Sequence, residues 1–182
     1  MTLLKLGIVL WVVAHGFGRL APGLRARLGE PGKGLVSFGV LAGIVLMVIG
    51  YRSADTIVVF IPPAWGAHAN NLCMLFAFYL FAVSGTKAQL ARHVRHPQLT
   101  GLMLWALGHL LANGDHASLI LFGGMFVWAL GMVFLINLQE PEWDRPARLP
   151  IGKEIRTAGA AVILFAAVAG IHSLLGYDPF PA

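Results

Sequence analysis

Six stretches of mostly apolar residues, separated by short polar connections, set the pattern of this chain. They run over about 2–20, 34–51, 67–85, 99–113, 118–138 and 157–176. A helix that crosses a bilayer needs roughly 20 such residues, so the pattern predicts an all-α, polytopic membrane protein. It would have about six transmembrane helices in one domain spanning 1–182. The fourth stretch is the shortest and carries His109 and Asn113 within it, which marks it as the span with a polar task.

Composition agrees with the pattern. Of 182 residues, 58% are hydrophobic and 12% are charged, against about 25% charged in soluble domains. This excludes a disordered chain and a nucleic-acid module. Cys73 is the only cysteine, which excludes an internal disulfide and a thiolate cluster. The sequence pI of 9.9 comes from where the cations sit. The first connection holds Arg19, Arg25, Arg27 and Lys33, the third Lys87, Arg92 and Arg95, and the fifth Arg145, Arg148, Lys153 and Arg156. Only Lys5 and Arg52 fall on the other side. Basic connections stay cytoplasmic, so the expected placement is the bacterial inner membrane with both termini periplasmic. The basic balance thus reports topology.

Lys5 followed by the run Leu6–Val13 imitates a signal peptide, but Trp11 and the continuation to Leu20 fit a retained helix better. The outer connection 53–65 ends in Pro62-Pro63-Ala64-Trp65, with Trp65 as an interfacial anchor. The connection 139–154, with Pro141, Pro146 and Pro150, reads as a solvated turn.

A motif occurs twice. Gly7-x-x-Leu10-Trp11-x-x-x-His15 in the first span matches Gly101-x-x-Leu104-Trp105-x-x-x-His109 in the fourth, 94 residues on. If the motif marks a duplicated unit of three helices, the odd number inverts the second copy. Two inverted three-helix repeats are therefore the architectural expectation.

The motif also places chemistry. At 100° per residue, Trp105, His109 and Asn113 each step about 40° from the one before and fall within about 80° of one another, and Trp11, His15 and Arg19 form a similar stripe. Ionisable side chains inside spans are costly and usually face the bundle interior. A lone histidine of this kind commonly bonds a backbone carbonyl and ties two helices together. Two in matched motifs point instead to a flat metal cofactor, and haem fits best because neutral imidazole is its common axial ligand. Zinc needs three or four ligands, and carboxylates are scarce within the spans. Counting 1.5 Å per residue, His15 and His109 are offset by roughly 10 Å along the membrane normal, so the ligand axis would be tilted. His172, near the outer end of the last span, is the substitute ligand. Asp115 reads as the stop of the fourth helix, with Gly114 supplying the turn, or as part of an outer proton path.

The stretch Arg95-His96-Pro97-Gln98-Leu99-Thr100-Gly101, continuing through Trp105 and His109 to Asn113-Gly114-Asp115, resembles the NnrU family of bacterial inner-membrane proteins. Ala14-His15-Gly16 and Ala21-Pro22-Gly23-Leu24-Arg25 belong to the same likeness. The family is named for an association with nitrite and nitric oxide reduction and is related to the plant 15-cis-zeta-carotene isomerase, which holds a b-type haem by histidines. The resemblance implies His15 and His109 as axial ligands, with Trp11 and Trp105 flanking and Arg19, Arg95, His96 and Asn113 as further cofactor contacts. It implies a role in denitrification, with nitric oxide as ligand, or isomerase chemistry on a hydrophobic polyene. The isomerase has a cysteine where this chain has Ala106, so thiolate ligation does not carry over.

Arg95-His96-Pro97-x-x-x-Gly101 also resembles the isoprenylcysteine and phospholipid methyltransferases, where Arg95 and His96 would touch S-adenosylmethionine. An aromatic commonly stands there at the position of Leu99, and the glutamate-rich last segment has no counterpart in 157–176. A non-catalytic membrane accessory protein is the third class.

Overall fold

Backbone polar groups in a bilayer must find partners within their own segment, and the apolar runs accordingly fold as helices. The computed structural model describes residues 1–180. The helices are α1 (Thr2–Leu20), α2 (Pro22–Arg27), α3 (Gly29–Arg52), α4 (Gly66–Thr86), α5 (Pro97–Ala112), α6 (His116–Ser118), α7 (Gly124–Gln139) and α8 (Ile151–Leu174). A π-helical turn, Leu119–Gly123, joins α6 to α7 without a break, so His116–Gln139 acts as one long helix. Among the described residues five helices are long and apolar enough to cross a membrane: α1, α3, α4, His116–Gln139 and α8. The expected fourth span, α5, has 16 residues. That is about 24 Å of helix, short of the roughly 30 Å hydrocarbon thickness.

Two ends differ from expectation. Helix α3 starts at Gly29, because Pro31 falls in the first turn, where a missing N–H costs nothing. Helix α8 starts at Ile151, so the expected turn 139–154 ends at Pro150, and Glu154 belongs to the helix.

The chain forms two compact units, residues 1–59 with 115–124, and residues 60–114 with those from 125 on. In the first unit α1 packs along α3 through glycines. A Cβ on Gly7 would stand 2.6 Å from the Met47 N atom, and one on Gly43 3.1 Å from the Gly7 carbonyl oxygen. Small residues let helix backbones approach closely where lipid offers no hydrophobic drive. The same unit contains a partly buried polar chain. Asp115 caps α6 by accepting from the Ser118 N–H at 2.9 Å and the Ser118 hydroxyl at 2.6 Å. The Tyr51 hydroxyl lies 2.8 Å from the Ser118 hydroxyl. Asp115 thus starts a helix instead of ending one. Gly114 does not take the left-handed turn conformation; it is small because the Phe60 carbonyl oxygen occupies the place of a Cβ.

Ser118 is fully buried, so removing its acceptor leaves polar groups unsatisfied. Asp115→Ala is expected to destabilise the protein by about 2 kcal/mol, as a lost cap and an orphaned hydroxyl together do. Asp115→Asn should cost less. Thermal unfolding in detergent checks this, and equal midpoints for the two variants would contradict it.

In the second unit α4 packs against α5 and α8. Glu154 ties its elements together, accepting from the Tyr79 hydroxyl and, at 2.7 Å, from the Gln89 backbone N–H. Nearby, Thr157 Oγ1 donates to Thr86 Oγ1 at 3.0 Å.

Candidate functional site

The repeated motif has the same local geometry in both places. His15 donates from Nδ1 to the Trp11 carbonyl at 3.1 Å, and its ring lies 4.0 Å from the Trp11 ring, centroid to centroid. His109 donates from Nδ1 to the Trp105 carbonyl at 2.9 Å, with its ring 5.2 Å from Trp105. His172 repeats the bond with the Val168 carbonyl at 2.8 Å. A carbonyl can only accept, so Nδ1 carries the hydrogen in all three rings, and the uncharged form of such a ring keeps its lone pair on Nε2. Metal-bound histidines are commonly oriented in this way.

Each unit contains a recess at its histidine. In the first, His15 lines an open recess of about 340 Å³ with Ala14, Gly18, Val36 and Ser37, and with the two cations Arg25 and Lys33. In the second, a recess of about 90 Å³ is lined by His109, His172, Trp105, Phe78, Phe165, Asn70 and Asn71. Asn71 Nδ2 donates to the Pro179 carbonyl at 2.7 Å, tying the C-terminal segment to α4. The Asn70 Oδ1 atom is buried with no hydrogen-bond partner among the described residues. Gly108 makes room beside it, since a Cβ there would stand 2.8 Å from that oxygen.

The other expected contacts are placed differently. Asn113 donates from its amide to the His109 carbonyl at 2.8 Å and closes the end of α5. Arg95 donates to the carbonyls of Glu140 and, at 2.9 Å, Glu142, beyond the end of α7. His96 Nε2 meets Asn137 Oδ1 at 2.9 Å, while its carbonyl accepts from the Thr100 N–H. Both therefore hold helix ends. Arg19 lies in the last turn of α1. The asparagine pair in α4 and the cations beside His15 went unselected in the sequence, although two adjacent asparagines inside an apolar span are themselves a signal.

Each recess offers part of what a haem needs: an oriented imidazole with two cations and small aliphatic walls at His15, and oriented imidazoles with aromatic walls at His109. The His15 recess reaches the roughly 300–1,000 Å³ of small-molecule sites, whereas the smaller one takes only about three waters at about 30 Å³ each, or a ring edge. Among the described residues no group of three or more His, Cys, Asp or Glu is arranged to hold a metal ion, so a multidentate zinc centre has no counterpart there.

Comparison with curated proteins and with solved structures gives no match. The family model described as NnrU protein matches residues 3–179. With nearly its whole length covered, and with its apolar helices and paired Trp-x-x-x-His motifs, this chain belongs to the NnrU family.

Proposed function

We propose that this protein binds a b-type haem through His15 and His109, with His172 as the alternate ligand, and serves nitrogen-oxide metabolism in the bacterial inner membrane. Both termini would be periplasmic, following the basic connections. The observation that carries the reading is the shared orientation of the two motif histidines, each with Nδ1 bound to the carbonyl of its own tryptophan. One such bond is ordinary helix stitching. The same bond and the same ring neighbour at both copies is what a pair of oriented axial ligands needs.

When bound, the haem would supply redox chemistry and a coordination position at which a small ligand such as nitric oxide can compete with a histidine. The protein's own part is orientation and exclusion of water. Trp11 and Trp105 fix the imidazole planes. Phe78 and Phe165 make the wall beside His109 apolar. Gly108 keeps α5 close to α4, and Asn113 holds the end of the helix that carries His109.

Protein purified from haem-replete cells is expected to carry about one haem b per chain. The check is its oxidised and reduced absorption spectra, with nitric oxide shifting the reduced spectrum. Haem-free protein that instead binds S-adenosylmethionine would overturn this reading in favour of the methyltransferase likeness. Isomerisation of an added cis-polyene by the reduced protein would move the role from nitrogen oxides to isomerase chemistry.

A further inference from the structure

We infer that Arg25 and Lys33 form the carboxylate anchor of the cofactor site at His15, holding the acidic side chains of the macrocycle; this rests on the haem reading above. Both cations line the same recess as the His15 ring, inside one compact unit. A b-type macrocycle is a flat apolar body with its iron at the centre and two carboxylates on one edge. A site for it therefore needs an imidazole and cations in one recess, with apolar walls between. His15, Arg25 and Lys33 supply the polar groups, and Ala14, Gly18 and Val36 supply the walls.

Both cations have capacity to spare. Arg25 donates one bond to the Gly29 carbonyl at 2.8 Å, out of five N–H donors in its guanidinium. That guanidinium lies over Gly32, where a Cβ would stand 2.9 Å from its nitrogen, so the missing side chain gives it its place. Lys33 pairs with Glu30 at 2.6 Å, three residues earlier, with both side chains well exposed. Exposed pairs of this kind are weak, and the ammonium has two further donors for an incoming carboxylate. Both residues lie in the connection expected on the cytoplasmic side, where charged ends of a buried ligand can meet water.

The phosphate of an anionic lipid would also suit two cations at a membrane surface, but it has no use for an imidazole in the same recess. The two sources are separated by titrating purified haem-free protein with haem and with haem dimethyl ester, whose carboxylates are capped. Wild type is expected to bind the ester roughly tenfold more weakly than haem. The double variant Arg25→Gln, Lys33→Gln should bind haem roughly tenfold more weakly and the ester as wild type does. Unchanged haem affinity in the double variant would overturn the anchor. So would equal weakening of both ligands, because the effect would then be structural. Loss of binding to anionic vesicles with haem affinity intact would assign the cations to lipid phosphate. Wild-type protein that binds neither haem nor ester would defeat the haem reading itself, an outcome distinct from a haem protein indifferent to its cations.

Discussion

His109→Ala is expected to lower haem affinity by more than about a hundredfold, since loss of groups that merely orient a ligand already costs 10–100-fold. His15→Ala should do the same, and His172→Ala should leave affinity nearly unchanged. The ranking follows from surroundings. His109 is half-buried on a helix whose end is tied to it by Asn113, and His15 is half-buried in the larger recess. His172 is exposed near the end of α8. Each single variant would be read by its absorption spectrum, where loss of one axial imidazole changes the spin state, and by rescue with free imidazole. Rescue separates a missing ligand from a misfolded protein. Haem surviving both His15→Ala and His109→Ala would end the assignment. A spectrum lost in His172→Ala but kept in His15→Ala would instead make the ligands the two histidines of the smaller recess, His109 and His172.

The candidate residues stand out in the sequence because an ionisable group inside an apolar run is set against its background. His15 and His109 are visible for that reason, and their tryptophans because both lie four residues before, one helical turn away. The partners of Arg95 and His96 were not legible. Their bonds reach Glu140, Glu142 and Asn137, more than 40 residues on, and no local pattern specifies such a pairing. The cations beside His15 report topology, which explains their sign but not that Arg25 and Lys33 share a recess with an imidazole.

The fold divides in the same way. Hydropathy places α1 at 2–20, as found, because there the apolar run and the helix coincide. It misplaces the starts of α3 and α8, because hydropathy reports residence in lipid whereas a helix also runs on through polar residues. The segment 151–156 contains Lys153, Glu154 and Arg156 and is helical all the same. The π-helical turn at Leu119–Gly123 lies in a uniformly apolar run, where a change from 3.6 residues per turn leaves no trace in the pattern. The duplicated motif was likewise a good guide to local geometry. Grouping is a separate matter, since α4 joins α5 and α8 in one compact unit.

Gly50→Ala is expected to destabilise the protein by about 3 kcal/mol, the upper end of the usual cost of overpacking, although it adds only a methyl group. A glycine-to-alanine change in a helix is ordinarily favourable, by about 1 kcal/mol of intrinsic propensity. At Gly50 the new carbon would overlap the backbone nitrogen of Leu4, with the Leu4 Cα at 2.7 Å and the Leu3 carbonyl carbon at 2.8 Å. Backbone atoms cannot rotate aside as a flexible side chain does, so the whole of α1 must move away from α3. That movement would also open the contacts at Gly7 and Gly43, which hold the same seam at 2.6–3.1 Å. Gly34 lies on the same helix, where an added methyl would meet nothing within 4 Å, and Gly34→Ala should therefore be neutral or slightly stabilising. Unfolding of the two variants in detergent, by heat or by increasing SDS, gives the comparison. Equal stability of Gly50→Ala and Gly34→Ala would mean that α1 and α3 do not meet through their glycines. Because His15 is carried by α1 and Lys33 by α3, the same loosening should weaken haem binding in Gly50→Ala and leave it intact in Gly34→Ala.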